Sequence, residues 1–233
     1  QLNDDYKQWP SHLGAPTDAF GRPLIPGAEA AFTIFADTDT LAHRYSIAGS
    51  LPLGLEGRVF AYTFDNIAQV YDTLLSQVVF LEYRITNIGE TTIDSCILTL
   101  YADPDIGYSR DDLIASDSIA NGAIAYHPTN YDPLWGSEPP VVGLVMLSEE
   151  LNSTNFYHLF SPYDTLPQTI NLMNGLDLDG NAYMDPTTGQ ATRFPYQGYP
   201  EADSGWLIEE ERDYRLMLNL QPRDLAPGAT AQF

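Results

Sequence analysis

Leu55-Glu56-Gly57-Arg58-Val59-Phe60-Ala61-Tyr62-Thr63-Phe64 alternates with a period of two. Arg58, Phe60, Tyr62 and Phe64 fall on one face, and Leu55, Val59 and Ala61 on the other. A helix would scatter this pattern, whereas a pleated strand sorts it by face. Working outward, Val78 to Thr86 repeats the alternation, with Val79, Leu81, Tyr83 and Ile85 opposite Glu82 and Arg84. Asn87-Ile88-Gly89-Glu90 then reads as a hairpin turn, and Thr92 to Tyr101 as a returning strand rich in β-branched residues. Near the C-terminus, Tyr214, Leu216, Leu218 and Leu220 alternate with Arg215, Met217 and Asn219.

Short alternating runs bounded by Gly, Pro, Asn and Asp recur along the chain, which predicts strands joined by turns. Helical signals are few: Leu147 to Phe160 and Pro167 to Gly175 are the two places where short helical turns are expected. The fold class is therefore all-β, a β-sandwich of jelly-roll or immunoglobulin-like type with long loop insertions and little helix. One domain is expected over residues 1–233. Residues 121–140 and 161–205, dense in Pro, Gly, Tyr and Asp, read as loop insertions, the latter alternatively as a small subdomain.

The 32 acidic and 10 basic residues give a net charge of −22, which leaves no basic footprint for nucleic acid or for an anionic membrane surface. Disorder is the other reading of high charge. It fails here because 44% of the residues are hydrophobic. No apolar run reaches the ~18 residues of a membrane-spanning helix. Cys96 is the single cysteine, so neither an internal disulfide nor a cysteine-based zinc site is available. It sits in the strand-like run Ile93-Asp94-Ser95-Cys96-Ile97-Leu98 and reads as a small buried thiol. The chain opens on Gln1 without a signal peptide and ends as Ala229-Thr230-Ala231-Gln232-Phe233 begins a further strand. It is expected to be a fragment of a longer chain.

Asp103-Pro104-Asp105-Ile106-Gly107, followed by Asp111-Asp112 and Asp117, is the leading site candidate. Calcium takes about six to eight hard oxygens, and alternating carboxylates on a glycine-containing turn supply them together with backbone carbonyls. Ca2+ is accordingly expected at Asp103, Asp105, Asp111, Asp112 and Asp117. The alternative is that these aspartates cap loops through side-chain to backbone bonds. Asp37-Thr38-Asp39 is a second acidic pair, which joins that site or forms a turn. Asp177-Leu178-Asp179-Gly180-Asn181 with Asp185 imitates a calcium loop, but its glycine placement favours a hairpin.

Enzyme signatures are weak. His12, His43, His127 and His158 are scattered, and no HExxH motif, nucleophile elbow or phosphate-binding glycine loop occurs. Tyr126, Tyr131 and Trp135 crowd one loop, and Tyr183, Phe194, Tyr196, Tyr199 and Trp206 another. Such rings either stack on sugar faces or anchor long loops, and anchoring is the stronger expectation.

Several segments in order carry a resemblance. Ala31-Phe32-Thr33-Ile34-Phe35-Ala36-Asp37-Thr38-Asp39 precedes Pro52-Leu53-Gly54-Leu55-Glu56 and Val79-Phe80-Leu81-Glu82-Tyr83-Arg84-Ile85-Thr86-Asn87. Tyr101-Ala102-Asp103-Pro104-Asp105-Ile106-Gly107 runs on to Asp111-Asp112-Leu113, followed by Pro139-Pro140-Val141-Val142-Gly143. Met173-Asn174-Gly175-Leu176 with Asp179-Gly180, Arg215-Leu216-Met217-Leu218 and Leu225-Ala226-Pro227-Gly228 complete the series. From about residue 20 onward the chain resembles a β-rich region of large extracellular proteins of Bacteroidota and related bacteria, many of which end in a type IX secretion sorting domain. The resemblance implies secretion, a multidomain parent and an extracellular or cell-surface destination, and it brings no activity with it. A non-enzymatic structural or adhesive module is expected, with neighbouring domains or subunits of the same surface protein as partners. The alternative is a carbohydrate-binding module that meets extracellular glycan.

Overall fold

The computed structural model describes residues 3–45, 51–65, 72–158 and 165–233. It is mostly β, with its strands arranged in several antiparallel sheets, and its contacts cluster into two compact units. The first unit comprises Gln1–Thr40, Leu51–Ile93 and Leu225–Phe233, and the second Leu41–Ser50 and Asp94–Asp224. Residues 161–205 belong within the second unit; of these, 161–164 lie outside the described residues.

In the first unit, strands β1 (Glu29–Ala36), β2 (Leu55–Thr63) and β3 (Val79–Asn87) form an antiparallel sheet. The C-terminal strand Thr230–Gln232 completes it, pairing with residues 84–86 of β3. The register sets Phe32 opposite Phe60 and Tyr62 opposite Phe80, so one face carries a continuous row of rings. Tyr62 and Phe80 stack with centroids 5.2 Å apart, and Trp9 lies 6.4 Å from Phe60 across the same face. The period-two reading of residues 55–64 is what produces this row. On the opposite face Phe35 lies directly over Gly57, where an added Cβ would come within 2.2 Å of the ring. Val79 is 60% exposed there, while Ile85 is buried.

The expected hairpin at Asn87–Glu90 is not formed: the neighbours of β3 are β2 and the C-terminal strand. The buried Asn87 side chain explains the redirection. It accepts from Gly89 N and donates to Thr91 O and Leu225 O, so its amide is spent turning the chain away. The single strand expected over Thr92 to Tyr101 is two, β4 (Ile93–Cys96) and β5 (Thr99–Ala102), with Ser95 at a φ of 51°. Burial pushes the Cys96 thiol pKa up, as suits an inert packed thiol.

The second unit is a two-sheet sandwich. One sheet runs β6 (Leu113–Asp117), β7 (Gly122–Tyr126) and β8 (Val142–Val145), with β7 in the middle. The other runs β5, β10 (Tyr214–Leu220) and β9 (Leu151–His158), with β10 in the middle and packed against β7. Ile114, Leu216, Leu218 and Leu220 fill the interior, and Ser116 Oγ meets Thr154 Oγ1 at 2.6 Å from sheet to sheet. The helical turn expected within Leu147 to Phe160 is therefore corrected to a strand over the described part of that span. Its run Asn152-Ser153-Thr154-Asn155 favours side-chain hydrogen bonding over helix, and β10 offers it a ladder.

Helix α1 (Leu166–Met173), whose Pro167 sits in its first turn, covers the outer face of β10 and β9. Leu172 packs with Tyr157 and Met217. Buried amides pin it there: Asn155 Nδ2 donates to Leu172 O and Leu176 O, and Asn219 Nδ2 to Leu172 O and Ser153 Oγ. These bonds tie the last turn of the helix and the Leu176 carbonyl beyond it to β9 and β10. All seven residues of β10 are buried for this reason.

Candidate metal site

The five aspartates expected to share one cation do not stay together. Asp117 ends β6 and accepts from Ile119 N at 3.0 Å and Ala120 N at 2.8 Å, capping the turn into β7. Five residues of extended chain separate it from Asp112, roughly 16 Å. Asp103, Asp105 and Asp111 divide between two groups, each completed by residues the sequence reading missed, while Asp112 belongs to neither.

The first group is Asp103, Asp105 and Asp213. It already holds a cation of its own, because Arg215 reaches Asp103 Oδ1 at 3.1 Å and Asp213 Oδ1 at 2.5 Å. Although burial opposes it, the two carboxylates hold the guanidinium pKa above its ordinary value. Burial raises the Asp105 pKa, and Asp103 and Asp213 raise it further. A second positive charge here would compete with Arg215.

The second group is Asp111, His127 and Asp132, whose donor atoms all lie within 4.8 Å of one another. Asp111 and Asp112 enter β6 from the loop that begins at Asp103, His127 directly follows β7, and Asp132 ends the short strand Tyr131–Asp132 beyond it. Antiparallel pairing of Leu113 with Tyr126 brings the three segments to one end of the sheet. Asp132 is fully buried, and its Oδ1 accepts from Leu134 N and Trp135 N, both at 2.7 Å. Burial works to raise its pKa, but the backbone N–H groups of Trp135, Leu134 and Tyr108, with the nearby His127, outweigh it and hold the carboxyl below its usual range. The left-handed Gly107, at a φ of +74°, admits this carboxylate: a Cβ there would lie 2.2 Å from Asp132 Oδ2.

Three carboxylate oxygens in this region are buried without a hydrogen-bond partner: Asp111 Oδ1, Asp112 Oδ1 and Asp132 Oδ2. Buried anionic oxygens are costly unless paired or coordinated. Asp112 is 1% exposed, and its other oxygen accepts from Ile106 N at 3.2 Å. Burial pushes its pKa up to about 7, with Asp111 and Asp105 adding to the rise. The imidazole of His127 is almost wholly covered, with Nε2 3.7 Å from Asp111 Oδ2 and 3.9 Å from Asp132 Oδ2. Sequence reasoning passed over His127 and Asp132 because they lie in a different loop from the Asp103–Asp112 run. The available signal was Asp132-Pro133, a turn former in the aromatic loop directly after a strand.

The remaining acidic candidates are taken up by protein donors. Asp37, in the first unit, accepts from Leu53 N and Leu55 N and so fixes the entry to β2. Asp177 accepts from Asp179 N and Asn181 N, and short strands at Tyr183–Met184 and Ala191–Thr192 pair beyond it. Of the loop aromatics, Tyr196 packs against Phe156 and Trp206, and Tyr183 donates to Asn155 Oδ1, so these rings anchor their loop. Tyr131, Trp135 and Tyr199 are instead more than half exposed. A groove of about 990 Å³ runs over the outer face of the β6–β7–β8 sheet, lined by Ile124, Tyr126, Asn130, Glu138, Tyr199 and Glu201 among others.

No known family model and no curated protein matches the chain, so the functional reading rests on these residues. Among the described residues, no helix is long and apolar enough to cross a membrane.

Proposed function

We propose that the chain is a non-enzymatic structural or adhesive module of a secreted, cell-surface bacterial protein, its loops consolidated by a bound divalent cation. The observation that carries the reading is the set of three carboxylate oxygens, on Asp111, Asp112 and Asp132, that are buried without a hydrogen-bond partner among the described residues. Calcium is the ion that carboxylates alone lead one to expect, and weak calcium sites belong to extracellular surroundings, where the ion is abundant. The net charge of −22 suits such surroundings, and the resemblance to extracellular Bacteroidota proteins points the same way. Partners are neighbouring domains or subunits of the same protein. Strand β1 supports contact through a sheet edge, since among the described residues only one of its sides is paired, with β2.

The test is thermal unfolding of the chain in 1 mM CaCl2 and after chelation. A ligand present at about 100 times its dissociation constant adds about 2.7 kcal/mol. Over the roughly 140 residues of the second unit this is about 8 °C. Identical melting with and without chelator would remove the cation from the reading.

A second reading, glycan binding, is favoured by the groove on the β6–β7–β8 sheet, where Tyr199 offers an exposed ring beside Asn130 and Glu201. Retention on a neutral polysaccharide gel that Tyr199→Ala abolishes would support it; passage of both proteins unretarded would end it.

A further inference from the structure

We propose that Asp111, His127 and Asp132 form a mixed nitrogen–oxygen site that binds a first-row transition divalent cation, of the Zn2+ or Mn2+ class, more tightly than it binds Ca2+. The inference rests on the reading that a cation occupies these loops and goes further by naming its class. Calcium shells are built from oxygen, whereas imidazole is a preferred ligand of the transition divalent ions.

Three observations indicate a built site. The first is orientation of the imidazole. His127 Nδ1 is engaged by the Thr129 backbone, 2.9 Å from its carbonyl O and 3.2 Å from its N–H, and this turns Nε2 toward the carboxylates. Metal-binding histidines are held in orientation by such outer-sphere contacts to their other ring nitrogen. The second is orientation of Asp132. Its Oδ1 is taken up by two backbone N–H groups, while Oδ2, on a residue with no exposed surface, has no hydrogen-bond partner and lies beside the imidazole. The third is spacing. Separations of 3.7 and 3.9 Å from Nε2 to the two carboxylate oxygens are too long for hydrogen bonds. Ligands bonded at about 2.1 Å in a tetrahedral shell lie ~3.4 Å apart, so both separations are within about half an ångström of the spacing that a shared ion requires. Asp112, with its own partnerless Oδ1, stands next in the chain to Asp111.

Solvent is available for a further ligand position, because the Asp111 side chain is 27% exposed. The neighbouring Asp103–Asp105–Asp213 group shares none of these features: Arg215 already supplies its positive charge, and no imidazole lies within it.

The experiment is isothermal titration of the demetallated full chain with ZnCl2, MnCl2 and CaCl2 in separate runs. The expected result is one equivalent of Zn2+ or Mn2+ bound at least tenfold more tightly than Ca2+. His127→Gln should weaken the transition metal at least tenfold and change Ca2+ by less than threefold. As a readout independent of any variant's folding, Mn2+-loaded wild-type chain should show electron spin-echo modulation from a directly bound imidazole nitrogen. Calcium binding as tight as Zn2+ and Mn2+, or Mn2+ bound without a nitrogen signal, overturns the proposal while leaving the cation-stabilised module standing. Failure of all three ions to bind overturns both.

Discussion

Gly107 and Gly136 offer a matched pair of perturbations, because both occupy the left-handed region, at φ +74° and +80°, in the loops around the candidate site. They differ in what a methyl group would meet. At Gly136 nothing lies within 4 Å, whereas at Gly107 the new Cβ would sit 2.2 to 2.4 Å from all three atoms of the Asp132 carboxylate group. Gly136→Ala therefore bears only the backbone cost of an alanine at positive φ, about 1–2 kcal/mol, partly offset by the smaller entropy of its unfolded chain. Its net cost should be about 1 kcal/mol. Gly107→Ala bears that cost and must also move a buried carboxylate off the N–H groups of Leu134 and Trp135. Losing two hydrogen bonds to a charged acceptor adds roughly 3 kcal/mol or more. For a unit of about 140 residues each kcal/mol is worth about 3 °C. Differential scanning calorimetry in chelator should then show a fall of about 3 °C for Gly136→Ala and of 10 °C or more for Gly107→Ala. Equal shifts for the two variants, within 2 °C, would refute the claim that Gly107 is reserved for the Asp132 carboxylate.

Two further outcomes are expected. With metal chelated, Asp112 should make stability fall as the pH rises. Its folded pKa of about 7 lies above the ordinary 3.8, so the native state binds the extra proton. The stability present below about pH 4 is lost progressively up to about pH 7, by at most about 4 kcal/mol, and Asp112→Asn should flatten that slope in urea titrations at pH 4, 5.5 and 7. Asn219→Leu, close in size, removes the bonds to Leu172 O, Ser153 Oγ and Thr99 Oγ1 and leaves Ser153 buried without its donor. It should cost about 2–4 kcal/mol and speed hydrogen exchange in α1; an unchanged urea midpoint would contradict the pinning role assigned to this amide.

The class of fold was legible in the sequence because side-chain period is a local property. Residues 55–63, 79–87 and 214–220 are strands, in the alternation their apolar residues display, since a strand sorts its neighbours by face whatever it pairs with. What the alternation does not encode is the partner. Asn87 to Glu90 has hairpin chemistry, yet β3 pairs with a strand some 145 residues further on, because the Asn87 amide is satisfied by Leu225. The run Leu151–His158 looks weak as a strand, being polar at four successive positions. Only burial between β10 and the Thr154–Ser116 contact makes those polar groups useful.

The candidate site divides in the same way. Charge density alone pointed to the Asp103–Asp112 loop, and Asp111 and Asp112 carry two of the three partnerless oxygens, the third lying on Asp132. The sequence by itself determined a β protein with an acidic loop worth testing for a cation. Tertiary structure alone decided which aspartates face one another. Strand pairing carried His127 and Asp132 to Asp111, while Arg215 neutralised Asp103 and a turn consumed Asp117. The physical reason is that carboxylate chemistry depends on what surrounds each oxygen within a few ångströms. Chain neighbours set only part of that surrounding, and the rest comes from segments that meet only once the sheets have formed.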